Sequence, residues 1–118
     1  MNKKKMFFGV PLALMALALT ACPPRIRIAD LNRDPGRYFD REVTVAGRVV
    51  RSYGAAGAGV YEIDDGTGTL WVATERYGVP SKDAYIGVTG RVVPGVTWSG
   101  RNYGNGMRET RRRTREAR

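Results

Sequence analysis

Short segments that alternate apolar and polar residues, and that contain glycine, restrict the possible folds of this chain more than any other feature. Residues 42–51 read Glu-Val-Thr-Val-Ala-Gly-Arg-Val-Val-Arg, which places Val43 and Val45 on one face of an extended chain. β-Branched residues with a period of two are typical of a strand that buries one face. Because Gly47 lies inside this strand, we expect a bulge or sharp bend there and therefore a curled sheet.

The same pattern predicts three more strands, over residues 60–64, 69–74 and 85–93, the last of them with another kink at Gly90. A fifth and more highly charged strand is predicted over about residues 107–111. The side chains expected inside the sheet are Tyr61, Ile63, Leu70, Val72, Ile86, Val88 and Val92, whereas Trp71 is expected on the opposite face.

The connections are predicted from turn chemistry. Asp65-Gly66-Thr67-Gly68 is interpreted as a tight turn in which Asp65 binds backbone N–H groups and both glycines adopt positive φ. Residues 52–59 are rich in glycine and alanine and are expected to form a flexible loop. A short helix is expected from about Leu31, capped by Asp30 and broken at Asp34-Pro35-Gly36.

Together these elements predict an all-β domain. Five short strands with glycine kinks and no long helix favour a small five-stranded, strongly curved barrel with a short N-terminal helix. The single cysteine, Cys22, leaves no disulfide to staple the domain, so a modest apolar core has to hold it.

The first 22 residues have the layout of a secretory signal. Lys3, Lys4 and Lys5 precede an uncharged run over residues 6–21, and small residues lead into Cys22. The run is shorter than the roughly 20 apolar residues of a membrane-spanning helix, and a proline interrupts it. A cleaved signal is therefore favoured over a permanent membrane span.

Leu19-Thr20-Ala21-Cys22 resembles the lipobox of bacterial lipoproteins. The resemblance implies that residues 1–21 are a lipoprotein signal peptide, that Cys22 is lipidated and begins the mature chain, and that residues 22–27 form a tether. It implies a cell-envelope protein, lipid-anchored on the extracytoplasmic side. Pro23 stands where an aspartate would signal inner-membrane retention, which implies the periplasmic face of the outer membrane in a Gram-negative cell. An ordinary signal peptide or a free thiol remains the alternative.

The formal charge of +9 is concentrated at the two ends of the chain. Residues 108–118 contain six arginines and two glutamates, whereas residues 22–107 contain eleven basic and nine acidic side chains. The body is therefore nearly balanced, and residues 112–118 are predicted to form a basic C-terminal tail. Contact of this end with an anionic lipid or an envelope polymer would involve Arg111, Arg112, Arg113 and Arg115.

Several segments between residues 28 and 93 resemble the OB-fold, in particular bacterial proteins related to its nucleic-acid-binding, anticodon-binding type. They are Ile28-Ala29-Asp30-Leu31 through Asp34-Pro35 to Tyr38, the strand 43–49, the turn 65–68 before Leu70-Trp71-Val72, and residues 88–92. The resemblance implies an OB-fold-like domain over residues 28–111. It also implies that a ligand contacts the face of the second and third strands. Two loops would contribute as well: the loop that joins strands one and two, and the loop that joins strands four and five.

The candidate ligand-binding residues on those surfaces are Tyr53, Glu62, Trp71, Arg91, Trp98, Arg101 and Tyr103. Aromatic rings with arginines are typical of single-strand binding, but Glu62, Asp64 and Asp65 lie where phosphates would approach. Because the charge of residues 22–107 is nearly balanced and the domain is expected outside the cytoplasm, nucleic acid is not the expected partner. A partly buried ring on the sheet surface is the alternative interpretation of Trp71.

The residue inventory disfavours catalysis, and no enzyme activity is predicted. The chain contains no histidine and no Gly-x-Ser-x-Gly nucleophile motif, and the lipobox resemblance commits Cys22 to lipid. Asp64 and Asp65 are an acidic pair, but they lack the spaced oxygen ligands of an EF-hand loop. No metal and no cofactor are expected.

The preferred function is that of a non-catalytic, membrane-anchored envelope lipoprotein whose OB-like domain binds a protein or an envelope polymer. The alternative is an OB-fold protein that binds an oligonucleotide or a small ligand through the same face.

Overall fold

The computed structural model describes residues 22–114. The predicted signal peptide and the end of the predicted basic tail, including Arg115, lie outside the described residues. The described part contains one α-helix, one 3-10 helix and seven strands. In chain order they are α1 (Ile28–Arg33), the 3-10 helix Pro35–Arg37, β1 (Glu42–Ala55), β2 (Ala58–Asp64), β3 (Thr69–Thr74), β4 (Tyr85–Val93), β5 (Thr97–Trp98), β6 (Arg101–Asn102) and β7 (Gly106–Thr114).

Five of these strands close into a barrel in the order β1-β2-β3-β7-β4, with β4 returning to β1. Neighbouring strands are antiparallel except β3 and β7, which are parallel. β5 and β6 form a small hairpin between β4 and β7. The predicted all-β, five-stranded curved barrel with a short N-terminal helix is confirmed.

The barrel interior holds the core. All seven side chains predicted to point inward are buried, and Trp71 lies on the outer face with partial exposure. Ile28 and Leu31 of α1 are fully buried and belong to the same core cluster. Burial of each such side chain contributes roughly 1.5–3 kcal/mol. Since the strands, the helix and the core lie within residues 24–114, a chain that begins at Cys22 keeps the complete barrel.

The N-terminal helix begins earlier than predicted, and Asp30 does not cap it. Asp30 lies in the first turn, where its carboxylate pairs with Arg27 at 3.7 Å and Arg33 at 3.4 Å. The cap comes from a distant turn: the Asp65 carboxylate accepts a hydrogen bond from the Ile28 N–H at 2.8 Å, 37 residues away. The Thr67 hydroxyl accepts one from the Ala29 N–H at 3.0 Å. These contacts satisfy helix N–H groups that have no partner within the helix.

The turn between β2 and β3 is organised by Asp65, as predicted. One oxygen of this carboxylate accepts hydrogen bonds from the N–H of Thr67 at 2.8 Å and of Gly68 at 3.2 Å. Burial by itself would raise the pKa of Asp65, but the hydrogen bonds from Ile28, Thr67 and Gly68 outweigh it and hold the pKa below its ordinary value. The ionised Asp65 carboxylate therefore stabilises the folded state. This stabilisation is complete above the ordinary aspartate pKa and is lost as the pH falls through the lowered pKa of Asp65.

Only one of the two turn glycines has the expected backbone conformation. Gly66 has φ +88°, whereas the prediction of positive φ at Gly68 is wrong. Glycine is favoured at position 68 by lack of space, since a Cβ there would lie 3.4 Å from side-chain atoms of Ile28 and Asn32. The close packing of α1 against the turn accounts for this residue.

The predicted flexible loop over residues 52–59 is wrong. β1 continues to Ala55, β2 begins at Ala58, and Ala56-Gly57 joins them with φ of 55° and 84°. Two successive positive φ values produce a tight hairpin turn whose twist matches that of the flanking strands. The small residues permit close contact rather than flexibility, because a Cβ on Gly54 would meet the Val79 side chain at 3.0 Å.

The predicted irregularity at Gly47 is also wrong. Burial alternates without interruption from Val43 through Gly47 to Val49, and the register shift lies between Val49 and Arg51. Gly47 is needed because a Cβ there would lie 2.7 Å from the Asp64 carbonyl carbon, with the carbonyl oxygen closer still. The register of β4 against β7 shifts between Thr89 and Gly90, beside the predicted kink, but the residue that the pairing skips is Thr110 of β7.

Both ends of the domain are more extensively built into the barrel than predicted. The tether predicted over residues 22–27 is hydrogen-bonded to β1: the Ile26 N–H donates to the Thr44 carbonyl at 2.9 Å, and the Thr44 N–H donates to the Pro24 carbonyl at 2.8 Å. At the other end, β7 runs to Thr114, so the predicted start of the tail at residue 112 falls inside a strand. The barrel gains strand pairing at both ends because these backbone groups find partners on β1 and β4.

Candidate ligand-binding surface

Three aromatic side chains meet on the outer face of the barrel. The Trp71 ring on β3 stacks on Tyr53 of β1 with centroids 6.1 Å apart and planes at 16°. It also contacts Tyr103, which follows β6, with centroids 4.4 Å apart and planes at 40°. We call Tyr53, Trp71 and Tyr103 the aromatic row. Such offset arrangements of rings are favourable beyond the area that they bury.

The extension of β1 and the β5–β6 hairpin position the two tyrosines. Tyr53 lies in the part of β1 that was predicted to be loop, where it pairs with Val60 of β2. The base of the hairpin is fixed because the Tyr103 N–H donates to the Val96 carbonyl at 2.8 Å and the Val96 N–H donates to the Gly104 carbonyl at 2.9 Å. Val96 is buried, and Gly106 pairs with Trp71. The row is therefore held by backbone contacts at both of its ends.

The charged groups at the row are few and partly neutralised. The Arg101 guanidinium lies over the Tyr103 ring at 5.9 Å, a cation–π arrangement. Glu62 is the cross-strand partner of Trp71 and pairs with Arg51 at 3.6 Å, and its side chain is only 16% exposed. The surface is therefore mainly aromatic, with Arg101 at its edge and the Arg51–Glu62 ion pair beside it.

Trp98 lies beside this surface rather than in the row. It pairs with Arg101 across the β5–β6 hairpin and lines a shallow pocket of about 220 Å³ with Ala58, Ala73 and Arg108. Its ring is half-buried. It continues the outer surface of β2 and β3 toward the hairpin.

Arg91 lies on another side of the barrel. It belongs to β4, whose neighbours are β1 and β7, and its cross-strand partners are Glu42 and Arg108. Its guanidinium donates to the Asp40 carbonyl at 2.9 Å and to the Asp40 carboxylate at 3.2 Å. The structure thus brings together Tyr53, Glu62, Trp71, Arg101 and Tyr103, with Trp98 adjacent, and leaves Arg91 apart.

A buried polar cluster inside the barrel was missed from the sequence. Glu109 of β7 accepts a hydrogen bond from the Tyr61 hydroxyl, and its second oxygen accepts one from Thr74 at 3.3 Å. Arg112 donates to the same carboxylate at 3.1 Å and to the Gly78 carbonyl at 2.6 Å. Glu109 lies two residues after the apolar Met107. Because alternate residues of a strand share a face, this spacing is the local sequence signal that would have placed Glu109 inside.

The side chains of the cluster satisfy one another's charges and hydrogen bonds. Burial raises the pKa of Tyr61 far above its ordinary value, and the negative charge of Glu109 raises it further, so the phenol stays protonated. The Glu109 side chain is completely buried, and the Arg112 side chain is 13% exposed. The cluster therefore ties β7 to β2 and β3 through the hydrogen bonds of Tyr61 and Thr74 to Glu109.

The described residues contain no group of three or more His, Cys, Asp or Glu side chains that could hold a metal ion. Between residues 22 and 114, no helix has the length and apolar character to cross a bilayer. Cys22 is exposed at the start of this range.

Comparison with solved structures identifies the fold. The chain is similar to a protein named as an aspartyl-tRNA synthetase from Leishmania major Friedlin, with a TM-score of 0.61, 14% identity, and coverage of 80% of this chain and 21% of the other. It is similar to asparaginyl-tRNA synthetase from Pyrococcus horikoshii, with a TM-score of 0.55, 16% identity, and coverage of 69% and 21%. The chain spans about a fifth of the length of each synthetase.

A third similar structure is OBody AM3L09 bound to hen egg-white lysozyme, with a TM-score of 0.51, 19% identity, and coverage of 66% of this chain and 84% of the other. No protein-family model matches the chain, and no curated protein matches it in sequence. At these identities the likeness concerns the fold alone, and it confirms the OB fold expected from the sequence.

Proposed function

We propose that this chain is a non-catalytic, membrane-anchored lipoprotein of the bacterial cell envelope whose OB barrel binds a protein or an envelope polymer through the aromatic row. The observation that carries the binding role is the contact of Trp71 with Tyr53 and Tyr103 on an outer barrel face. Tyr, Trp and Arg side chains provide most of the binding energy in protein interfaces, and Arg101 adjoins this row.

The lipobox-like sequence ending at Cys22 supports the membrane address, and the exposed Cys22 is accessible for modification. Acyl chains on this cysteine would hold the domain at the bilayer surface. The outer membrane is the proposed site in a Gram-negative cell, because Pro23 follows the cysteine.

The charge around the aromatic row favours a protein or a neutral polymer over a nucleic acid. Glu62 of β2 is the cross-strand partner of Trp71, and Asp64 is the last residue of β2. Trp71 already contacts two rings, and Tyr53, at 48% exposure, is the ring of the row most open to a stacked base. The lysozyme-bound OBody supports a protein ligand, because it is an example of this fold in complex with a protein.

An oligonucleotide or a small ligand is the second candidate for the same surface. It is favoured by the arrangement of Arg101 over Tyr103 beside Trp71, since aromatic platforms with a cation are the elements of single-strand binding. Such binding would be strongly weakened by salt, whereas contacts with a neutral surface would not.

The anchor is tested by metabolic labelling with a radioactive fatty acid. We expect wild-type protein to carry the label in the membrane fraction and the Cys22→Ala variant to carry none, because the sulfur is the attachment atom. Equal labelling of Cys22→Ala, or an unlabelled wild type, would refute the lipoprotein assignment and leave the binding role of the barrel untouched.

The binding surface is tested by affinity capture from detergent-solubilised envelopes. Trp71→Ala is expected to weaken capture of the partner by about thirtyfold, because truncation of a central aromatic residue costs at least about 2 kcal/mol. Tyr77→Ala is the matched control, since Tyr77 is 54% exposed and lies in the connection after β3, outside the row. Equal capture by wild type and Trp71→Ala would exclude this face. Salt-sensitive recovery of nucleic acid in place of protein or polymer would favour the second candidate.

A further inference from the structure

A groove rich in arginine crosses the outer face of β1, β4 and β7. Its volume is about 560 Å³, and no carboxylate lines it. We call it the arginine groove. Its lining residues are Arg25, Thr44, Ala46, Gly87, Thr89, Arg111, Arg112 and Arg113.

The strand register explains why a groove forms here. Ala46 pairs with Gly87, and Thr44 pairs with Thr89, so the floor between β1 and β4 is made of small side chains. On the far side of β4, Gly87 pairs with Arg113 and Thr89 with Arg111, which places two long cationic side chains along one wall. Arg25 forms the other wall, because its backbone is bridged to Thr44.

Three of the four arginines have no carboxylate partner within residues 22–114. Arg112 is neutralised by Glu109, whereas Arg25, Arg111 and Arg113 form no ion pair in that range. Two acidic residues at the start of β1 have other partners: Glu42 accepts a hydrogen bond from Thr110 at 2.9 Å, and Asp40, which precedes the strand, pairs with Arg91. Among residues 22–114, the groove therefore carries three positive charges without an ion-pair partner.

The floor of the groove can also donate a hydrogen bond. The hydroxyls of Thr44 and Thr89 are 2.7 Å apart, and one of them donates to the other. The hydroxyl that accepts keeps its own hydrogen, which is free to be donated to an anion in the groove. Guanidinium groups around a hydroxyl donor are a favourable environment for a phosphate.

The chain leading to Cys22 begins at this groove. The Pro24 carbonyl accepts a hydrogen bond from the Thr44 N–H, so the backbone is fixed two residues from Cys22. Two residues span at most about 7 Å, so the lipid attachment atom has to lie close to the groove. A barrel tethered so closely cannot turn this face far from the surface that holds the acyl chains.

We propose that the arginine groove binds the phosphate headgroups of anionic phospholipids and docks the barrel on the membrane in one orientation. In the ring of five strands, β4 lies across the barrel from β2 and β3. Docking through the groove therefore turns the aromatic row away from the bilayer, toward a partner in the aqueous compartment. This inference rests on the proposed membrane address, but its test uses unlipidated protein, so a failure of lipidation does not decide it.

The test uses residues 22–118 with the substitution Cys22→Ser, and it measures how much of this protein sediments together with phospholipid vesicles. We expect binding to vesicles that contain phosphatidylglycerol and none to pure phosphatidylcholine. Replacing Arg25, Arg111 and Arg113 together by glutamine is expected to weaken binding roughly a hundredfold, about fivefold for each cation near an anionic surface. The unfolding midpoint should stay unchanged, because these three side chains form no ion pair within the barrel range described above.

A charge-matched control separates the groove from net charge. Arg37, Arg76 and Lys82 are exposed and lie outside the groove, and their joint replacement by glutamine should preserve most of the binding. An equal loss in the control triple would overturn the proposal, as would absence of wild-type binding to phosphatidylglycerol vesicles. Displacement from the vesicles by a single-stranded oligonucleotide at equal phosphate concentration would also overturn it and assign the groove to nucleic acid.

Discussion

Replacing Glu109 by glutamine is expected to lower the free energy of unfolding by about 3 kcal/mol, because the change leaves a largely buried arginine without its counter-ion. Glu109 receives Arg112 at 3.1 Å, and the Arg112 side chain is 13% exposed. The glutamine retains the size of the side chain and an oxygen that can accept from Tyr61, so little cavity is formed. Urea-induced unfolding followed by tryptophan fluorescence measures the change.

A double-variant cycle distinguishes the lost ion pair from a general disturbance of β7. Combining Glu109→Gln with Arg112→Met removes the unpaired cation and places an apolar side chain near the Tyr61 ring, which Arg112 now approaches at 5.3 Å. The combined loss should be smaller than the sum of the single losses by about 1.5 kcal/mol or more. Strict additivity would contradict the buried ion pair as the cause.

The second large effect is expected at Gly47, where alanine should cost about 3 kcal/mol. Its Cβ would lie 2.7 Å from the Asp64 carbonyl carbon and 2.9 Å from the Asp65 nitrogen, and backbone atoms can yield only if β1 and β2 separate. Since Asp65 and Thr67 accept hydrogen bonds from the Ile28 and Ala29 N–H groups of α1, that separation should also weaken these two bonds. Chemical unfolding measures the first effect, and hydrogen exchange of the Ile28 amide measures the second.

Gly87→Ala is the matched control for this prediction. Gly87 lies in the neighbouring strand of the same barrel, and a Cβ there would have no heavy atom nearer than the Arg113 carbonyl oxygen at 4.0 Å. Its unfolding free energy should stay within about 0.5 kcal/mol of wild type. Similar losses for the two variants would show that crowding at Asp64 is not the cause.

The fold was largely predictable because the alternating pattern is a local signal. β3 and β4 have the bounds that the sequence predicted, and each side chain expected inside is buried. The errors lie where small residues were interpreted by composition. Gly54 to Gly59 suggested a loop, although the absence of side chains there permits the close approach of strands and of Val79.

The candidate surface was predictable in its residue types and less so in its arrangement. Tyr53, Trp71 and Tyr103 were each named from the sequence, and the structure brings their rings together. Arg91 was named on the same grounds and lies on β4, apart from them. Which outer residues share a face depends on the order of strands around the barrel, and that order is not written in any single segment.

The sequence by itself predicted the position of each barrel strand and which face of the strand is apolar. Only the tertiary structure decided that Asp65 caps a helix 37 residues away, that Glu109 meets Tyr61 across 48 residues, and that Arg25 faces Arg111 and Arg113 over a threonine floor. The physical reason is that periodicity reports the environment of each residue along its own strand. Contacts between distant residues follow from register and barrel closure, which many side chains fix together.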